Sequence, residues 1–126
     1  MAARQKNRTV SVVDDDEPVR DSMRLLLESV GFEVRDYPSA MQFLQDEKAL
    51  NCCCLVLDLH MPGMSGIELA ELLRQRGAGV PTLLITGKGD PGLNERLARA
   101  PILTTLHKPV PEDVLIQWIE EACAAP

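Results

Sequence analysis

Hydrophobic and polar positions along this chain alternate between two periods. Thr9-Val10-Ser11-Val12-Val13 reads as a short β-branched strand that runs straight into Asp14-Asp15-Asp16-Glu17. Val19, Met23, Leu26, Leu27 and Val30 then recur at the spacing of one apolar helix face, with Pro18 suited to the first turn and Gly31 to the stop. Phe32 to Tyr37 alternates apolar and polar, as a half-exposed edge strand does, and Ala40, Phe43 and Leu44 mark a short second helix. Cys53-Cys54-Leu55-Val56-Leu57 is apolar throughout, a strand buried on both faces, and it stops at Asp58. Ser65-Gly66-Ile67-Glu68 has the form of a capping box, opening a third helix with Leu69, Leu72 and Leu73 inward and a stop near Gly77 and Gly79.

The alternation continues to the end. Thr82 to Thr86 is a fourth strand, broken by Gly87-Lys88-Gly89. Asp90-Pro91 looks like an N-cap and first-turn pair for a short polar helix from Leu93 to about Ala100. Ile102 to Leu106 is the fifth strand, with two polar positions that suit the other edge. His107-Lys108-Pro109 ends it, and Pro111 opens a last helix with Leu115, Ile119 and Cys123 on one stripe. Five strand-then-helix units require parallel pairing through right-handed crossovers, hence a doubly wound α/β sheet with the third and fourth strands inside.

Composition narrows the function. A formal charge of −6 lacks the basic footprint of direct nucleic-acid binding. No apolar run reaches the roughly 20 residues of a membrane span, and no signal-peptide pattern opens the chain. At 126 residues this is one domain: residues 1–8 a loose tail containing Arg4, Lys6 and Arg8, residues 9–123 the folded unit, and 124–126 an end or the start of a linker. Cys52, Cys53 and Cys54 are consecutive. Neighbouring strand positions face opposite ways, so the three cannot converge on a metal, and with Cys123 they read as small buried apolar residues of a reduced, cytoplasmic protein.

The chemistry gathers where the strands end. In a parallel sheet every strand's carboxyl end lies on one edge, so Asp14, Asp15, Asp58, Thr86 and Lys108 share one crevice. Each has a plainer reading alone, as a helix cap, a strand-end threonine or a surface lysine. Together, clustered carboxylates need a cation, and an oxygen-only donor set suits Mg²⁺, or else Mn²⁺. Asp16 reads as a cap or a neighbour of the ligands.

Val12 to Arg20, Gly31 to Val34, Ser39-Ala40 with Phe43-Leu44, Asp58 to Gly66, Ile85 to Asp90 and Lys108-Pro109 together resemble the receiver domain of two-component response regulators, most closely the FixJ-like subgroup. The resemblance covers roughly residues 9 to 123. It implies a flavodoxin-like sheet in the order 2-1-3-4-5 with five helices. It implies that Asp58 accepts a phosphoryl group from the phospho-histidine of a sensor histidine kinase, so that the domain catalyses its own phosphorylation and dephosphorylation without being a conventional enzyme. Asp14, Asp15, Asp58 and the backbone carbonyl of His60 would hold Mg²⁺, Lys108 would pair with the phosphoryl group and Thr86 would bond one of its oxygens. Lys108-Pro109 matches the family's cis peptide. A transcription-regulatory context and a homodimer through the fourth helix, fifth strand and fifth helix are further implications.

Two positions depart from the family pattern. Thr105 stands where an aromatic usually relays the signal, and Ala100-Pro101-Ile102 replaces the usual Gly-Ala. They leave open a degenerate receiver that binds partners without phosphorylation. An aspartate-nucleophile phosphohydrolase acting on small molecules is a third reading, but it wants a second acid where His60 stands. His60 and Lys88 flank the acceptor and are candidates for setting the dephosphorylation rate. Trp118 belongs to the core margin or to a partner contact.

Overall fold

A computed structural model describes residues 7–87 and 94–124. The expected cap at Asp90-Pro91, Lys88, and Arg4 and Lys6 lie outside them. Strands β1 (Thr9–Val13), β2 (Glu33–Tyr37), β3 (Cys54–Asp58), β4 (Thr82–Thr86) and β5 (Thr104–His107) form one parallel sheet in the order β2-β1-β3-β4-β5. Helices α1 (Glu17–Ser29), α2 (Ala40–Gln45), α3 (Gly66–Gln75) and α5 (Glu112–Ala124) alternate with them, and α4 is the short segment Asn94–Arg99.

Strand parity divides the core. Val10, Val12, Cys54, Val56, Leu83 and Ile85 face Leu27 of α1 and Leu115 and Ile119 of α5. Val13, Leu55, Leu57 and Leu84 face Phe43 of α2 and Ile67, Leu69 and Leu73 of α3. β1, β3 and β4 are buried along their whole length, the mark of strands covered on both sides, while β2, at the edge, buries only Val34 and Tyr37. Trp118 packs half-buried against the α1/α5 side, so it is core margin.

Local chemistry sets the boundaries. The Asp16 carboxylate accepts from the Val19 amide and caps α1, and the expected Ser65–Glu68 capping box at α3 is present in both directions. α1 ends with Gly31 at φ +94°, where the Gly31 amide donates to Glu28 and the Phe32 amide to Leu27. That closure takes Phe32 out of β2, which therefore starts one residue later than expected. It also leaves Val30 as a 37% exposed cap residue instead of the fifth member of the apolar stripe. β5 starts at Thr104 and not at Ile102, because Pro101 has no amide and the Ile102 amide turns back to the Ala100 carbonyl.

Two further expectations are corrected. Arg8 is fixed: its guanidinium donates to the carbonyls of Gly31 and Val30, pairs with Glu120 at 3.2 Å and lies 4.1 Å from the centroid of the Phe32 ring. The cysteines are not all reduced. Cys53 and Cys123 form a disulfide, while Cys52 and Cys54 are free and buried. Alternating strand positions still keep the consecutive cysteines from sharing a metal, but Cys53 precedes the regular strand and reaches the last turn of α5 instead.

Candidate functional site

β1 and β3 are neighbours in space, yet their crossovers leave in opposite directions, α1 toward β2 and α3 toward β4. A crevice opens at such a switch point, beyond the carboxyl ends of the two strands. β1 delivers Asp14 and Asp15 there, and β3 delivers Asp58. One carboxylate oxygen from each of the three lies within 4.8 Å of the other two. Asp14 and Asp58 are 2% and 5% exposed, and Asp15 is exposed.

β5 brings the counter-charge. Lys108 follows its last residue, and the ammonium stands 3.6 Å from Asp58 Oδ1 and 3.7 Å from Asp14 Oδ2. The Lys108 amide donates to the Thr86 carbonyl at 2.8 Å, which sets the lysine against the end of β4, and the peptide to Pro109 is cis. Thr86 is buried at that same strand end. His60 is exposed two residues past Asp58. The residues expected at one edge are therefore at one edge.

Three carboxylates against one ammonium leave two formal negative charges in a largely buried crevice. Burial pushes the Asp58 carboxyl up to about 6, with Asp14 and Asp15 adding to the rise and Lys108 opposing it. Burial likewise raises Asp14, against the hydrogen bond its carboxylate accepts from the Asp16 amide. A site that resists holding its own charge is a site for a divalent cation, and its donors are all hard oxygens with neither histidine nitrogen nor thiolate among the described cluster. The residues fit Mg²⁺.

Three supporting residues were not legible in advance as such. Arg20 donates to the Asp14 carbonyl at 2.7 Å and pairs with Asp36 of β2, so it pins the loop carrying Asp14 and Asp15. Arg24 binds the same Asp36. Gly66 is the third: a Cβ there would lie 2.3 Å from the Asp58 carbonyl oxygen and 2.9 Å from Leu84 Cδ1. Only glycine lets α3 start this close to the end of β3. Asp16, by contrast, is spent on capping α1.

Comparison with known proteins agrees with the geometry. Residues 10–120 match the response regulator receiver domain. The chain is 39% identical over 114 residues to the transcriptional regulatory protein FixJ of Rhizobium meliloti, covering 90% of this chain and 56% of that protein. Against FixJ of Bradyrhizobium diazoefficiens it is 37% identical over 113 residues, covering 90% and 55%. It thus spans about half the length of these relatives. Among solved structures, FixJ-N superposes with a TM-score of 0.83 at 36% identity, covering 97% of this chain and 98% of that one. The response regulator StyR gives 0.84 at 43%, covering 93% and 59%. Sheet order, acidic crevice and a match over nearly the whole described chain lead to one assignment, and this protein belongs to the response regulator receiver domain family.

Proposed function

We propose that Asp58 is the phosphoacceptor of this receiver, taking its phosphoryl group from the phospho-histidine of a sensor histidine kinase in the cytoplasm. The observation that carries the reading is the buried Asp58 carboxylate flanked by two further acids and by Lys108 at 3.6 Å. A lone pair on an Asp58 carboxylate oxygen attacks phosphorus, and the bond from phosphorus to the imidazole nitrogen breaks with its pair going to the nitrogen. Asp14, Asp15, Asp58 and the His60 carbonyl are the residues that would hold Mg²⁺. When bound, the ion neutralises the charge of the transferring oxygens, the main demand of phosphoryl transfer.

The protein's own groups do the rest. Lys108, a compact cation tied by its amide to Thr86, stands beside Asp58 and pairs with the transferred phosphoryl oxygens. Thr86 donates its hydroxyl to one of those oxygens, which biases the β4 end between two arrangements. Thr105 of β5 lacks the aromatic ring that would read this change in most of the family, so the signal reaches the α4-β5-α5 face, the proposed dimer contact, by another route. His60, exposed beside the acceptor, modulates water access and hence dephosphorylation. Transcription regulation is the context that the longer FixJ relatives suggest.

The test is incubation with a small phosphodonor and Mg²⁺, followed by intact mass of the wild type and of Asp58→Ala. Addition of one phosphoryl group to the wild type alone is expected. No addition to the wild type refutes the reading, and turnover of many phosphate esters per protein would favour a hydrolase.

A further inference from the structure

The phosphoryl site makes no use of the cysteines. Cys53 lies half-buried in the bend before β3, and Cys123 lies 8% exposed in the last turn of α5. Their disulfide joins positions 70 apart in sequence, with Cα atoms 4.8 Å from one another, inside the range that disulfides occupy. Cys52 and Cys54 are free thiols, and burial pushes both up, Cys54 to about 12. They stay protonated beside the bonded pair and compete poorly for it.

The same two elements meet again at their other ends. β3 finishes on Asp58, and Lys108, just ahead of α5, pairs with Asp58 at 3.6 Å. β3 is therefore tied at both ends, by an ion pair to the Lys108 segment that leads into α5 at the carboxyl edge of the sheet, and by a covalent bond to the last turn of α5 at the opposite edge. Between the ties, Leu115 and Ile119 pack into the core. Without the disulfide, the last turn of α5 is held by the small buried side chains of Ala122 and Cys123 and by the exposed Arg8–Glu120 pair, whose side chains are 41% and 45% accessible. Exposed pairs of that kind contribute little.

We propose that Cys53–Cys123 is a reversible thiol–disulfide site for a glutathione-class thiol, and that its redox state sets how firmly the end of α5 is held on the sheet. The choice of thiol rests on the cytoplasmic placement in the reading above, since a disulfide in a reducing compartment is an exchanging one. An external thiolate attacks the more accessible Cys53 sulfur. The S–S bond breaks with its electron pair going to Cys123, which takes up a proton. A second external thiolate attacks the external sulfur of the mixed disulfide, releasing Cys53, which is protonated in turn, and one external disulfide. Oxidation is the reverse: two protein thiols give two electrons and two protons, and one external disulfide becomes two thiols.

The test equilibrates the purified protein across glutathione buffers from reducing to oxidising. Samples are quenched with an alkylating reagent under denaturing conditions, and alkyl groups are counted by intact mass. Native hydrogen exchange is followed on the same samples. Two alkylated cysteines are expected at the oxidising end and four at the reducing end, with Cys53 and Cys123 linked in the peptide map. Amides at the end of α5 should exchange about tenfold faster once reduced, by local opening, while the buried β3 amides follow only the change in global unfolding free energy. Cys53→Ser and Cys123→Ala should show the faster rate in every buffer. Four alkylated cysteines throughout, a crosslink through Cys52 or Cys54, a disulfide that survives the fully reducing buffer, or equal α5 exchange in both forms would each overturn the proposal. Phosphoryl addition at Asp58, measured on the same samples, separates the two readings: its failure in both redox forms would refute the phosphoacceptor assignment and leave the thiol result standing.

Discussion

Replacing Asp58 by asparagine should make the metal-free domain more stable at neutral pH. The carboxyl is pushed from its ordinary value of 3.8 up to about 6 by burial and by Asp14 and Asp15, against the pull of Lys108. A folded-state value above the unfolded one means that the native protein binds the proton more tightly. The stability this adds is therefore complete below about pH 4 and lost as pH rises to about 6. A rise of about two, each worth about 1.36 kcal/mol, makes the ionised carboxylate a burden on the order of 3 kcal/mol at pH 7. Asparagine has nearly the same shape and no charge to desolvate. In a chelator-containing buffer Asp58→Asn should raise the midpoint of thermal unfolding by roughly 10 °C, from about 4 °C per kcal/mol for a domain of this size. The gap from wild type should shrink as pH falls to 4, and Mg²⁺ should narrow it at pH 7 by stabilising only the wild type. A variant no more stable than wild type at pH 7, or a gap that ignores pH, would refute the claim that this site resists its own charge.

Lys108→Met removes an ammonium 3.6 Å from Asp58 and 3.7 Å from Asp14. It should lower metal-free stability at pH 7 by about 1–2 kcal/mol, discounted because the lysine side chain is one-third exposed, and should abolish phosphoryl addition measured by intact mass. Gly66→Ala places a carbon 2.3 Å from the Asp58 carbonyl oxygen, which a backbone atom cannot avoid. A loss of about 1–3 kcal/mol is expected in urea unfolding. Arg20→Met frees the Asp14 carbonyl and should weaken Mg²⁺ binding about tenfold by calorimetric titration, with unfolding midpoints in chelator showing how much of the change is structural.

The sheet was legible because its two signals are strong and separate. Continuous apolar runs at Leu55–Leu57 and Leu83–Ile85 marked interior strands, and the mostly polar Glu33–Tyr37 marked an edge. Convergence of Asp14, Asp15, Asp58 and Lys108 then followed from parallel topology alone. Boundaries failed where backbone hydrogen bonds overrode side-chain pattern, as at Phe32, whose amide closes α1, and at Ile102, next to a proline without an amide. Arg8 was misplaced because its partners, Val30, Gly31, Phe32 and Glu120, are brought to it only by the fold. Arg20 and Gly66 act on backbone atoms of the site, which carry no side-chain signature. The disulfide depends on two residues 70 apart and on which of three adjacent cysteines leaves the strand, and no period encodes that.

The two ends of β3 act on stability in opposite directions. At the carboxyl end the ionised Asp58 costs about 3 kcal/mol. At the other end, a crosslink closing a loop of 70 residues contributes about 4 kcal/mol by chain entropy. The metal-free, reduced protein should thus be the least stable form, and Asp58→Asn should restore most of what reduction removes. Five residue steps of strand separate Cys53 from Asp58, about 16 Å, beyond the distance at which independent substitutions usually couple. If α5 is a passive lever, the effects of Asp58→Asn and Cys53→Ser on urea unfolding should add within about 0.5 kcal/mol. A larger discrepancy would show that α5 transmits force between its two ties. The missing aromatic at Thr105 would then have a mechanical substitute: a helix that senses charge at Lys108 and thiol state at Cys123.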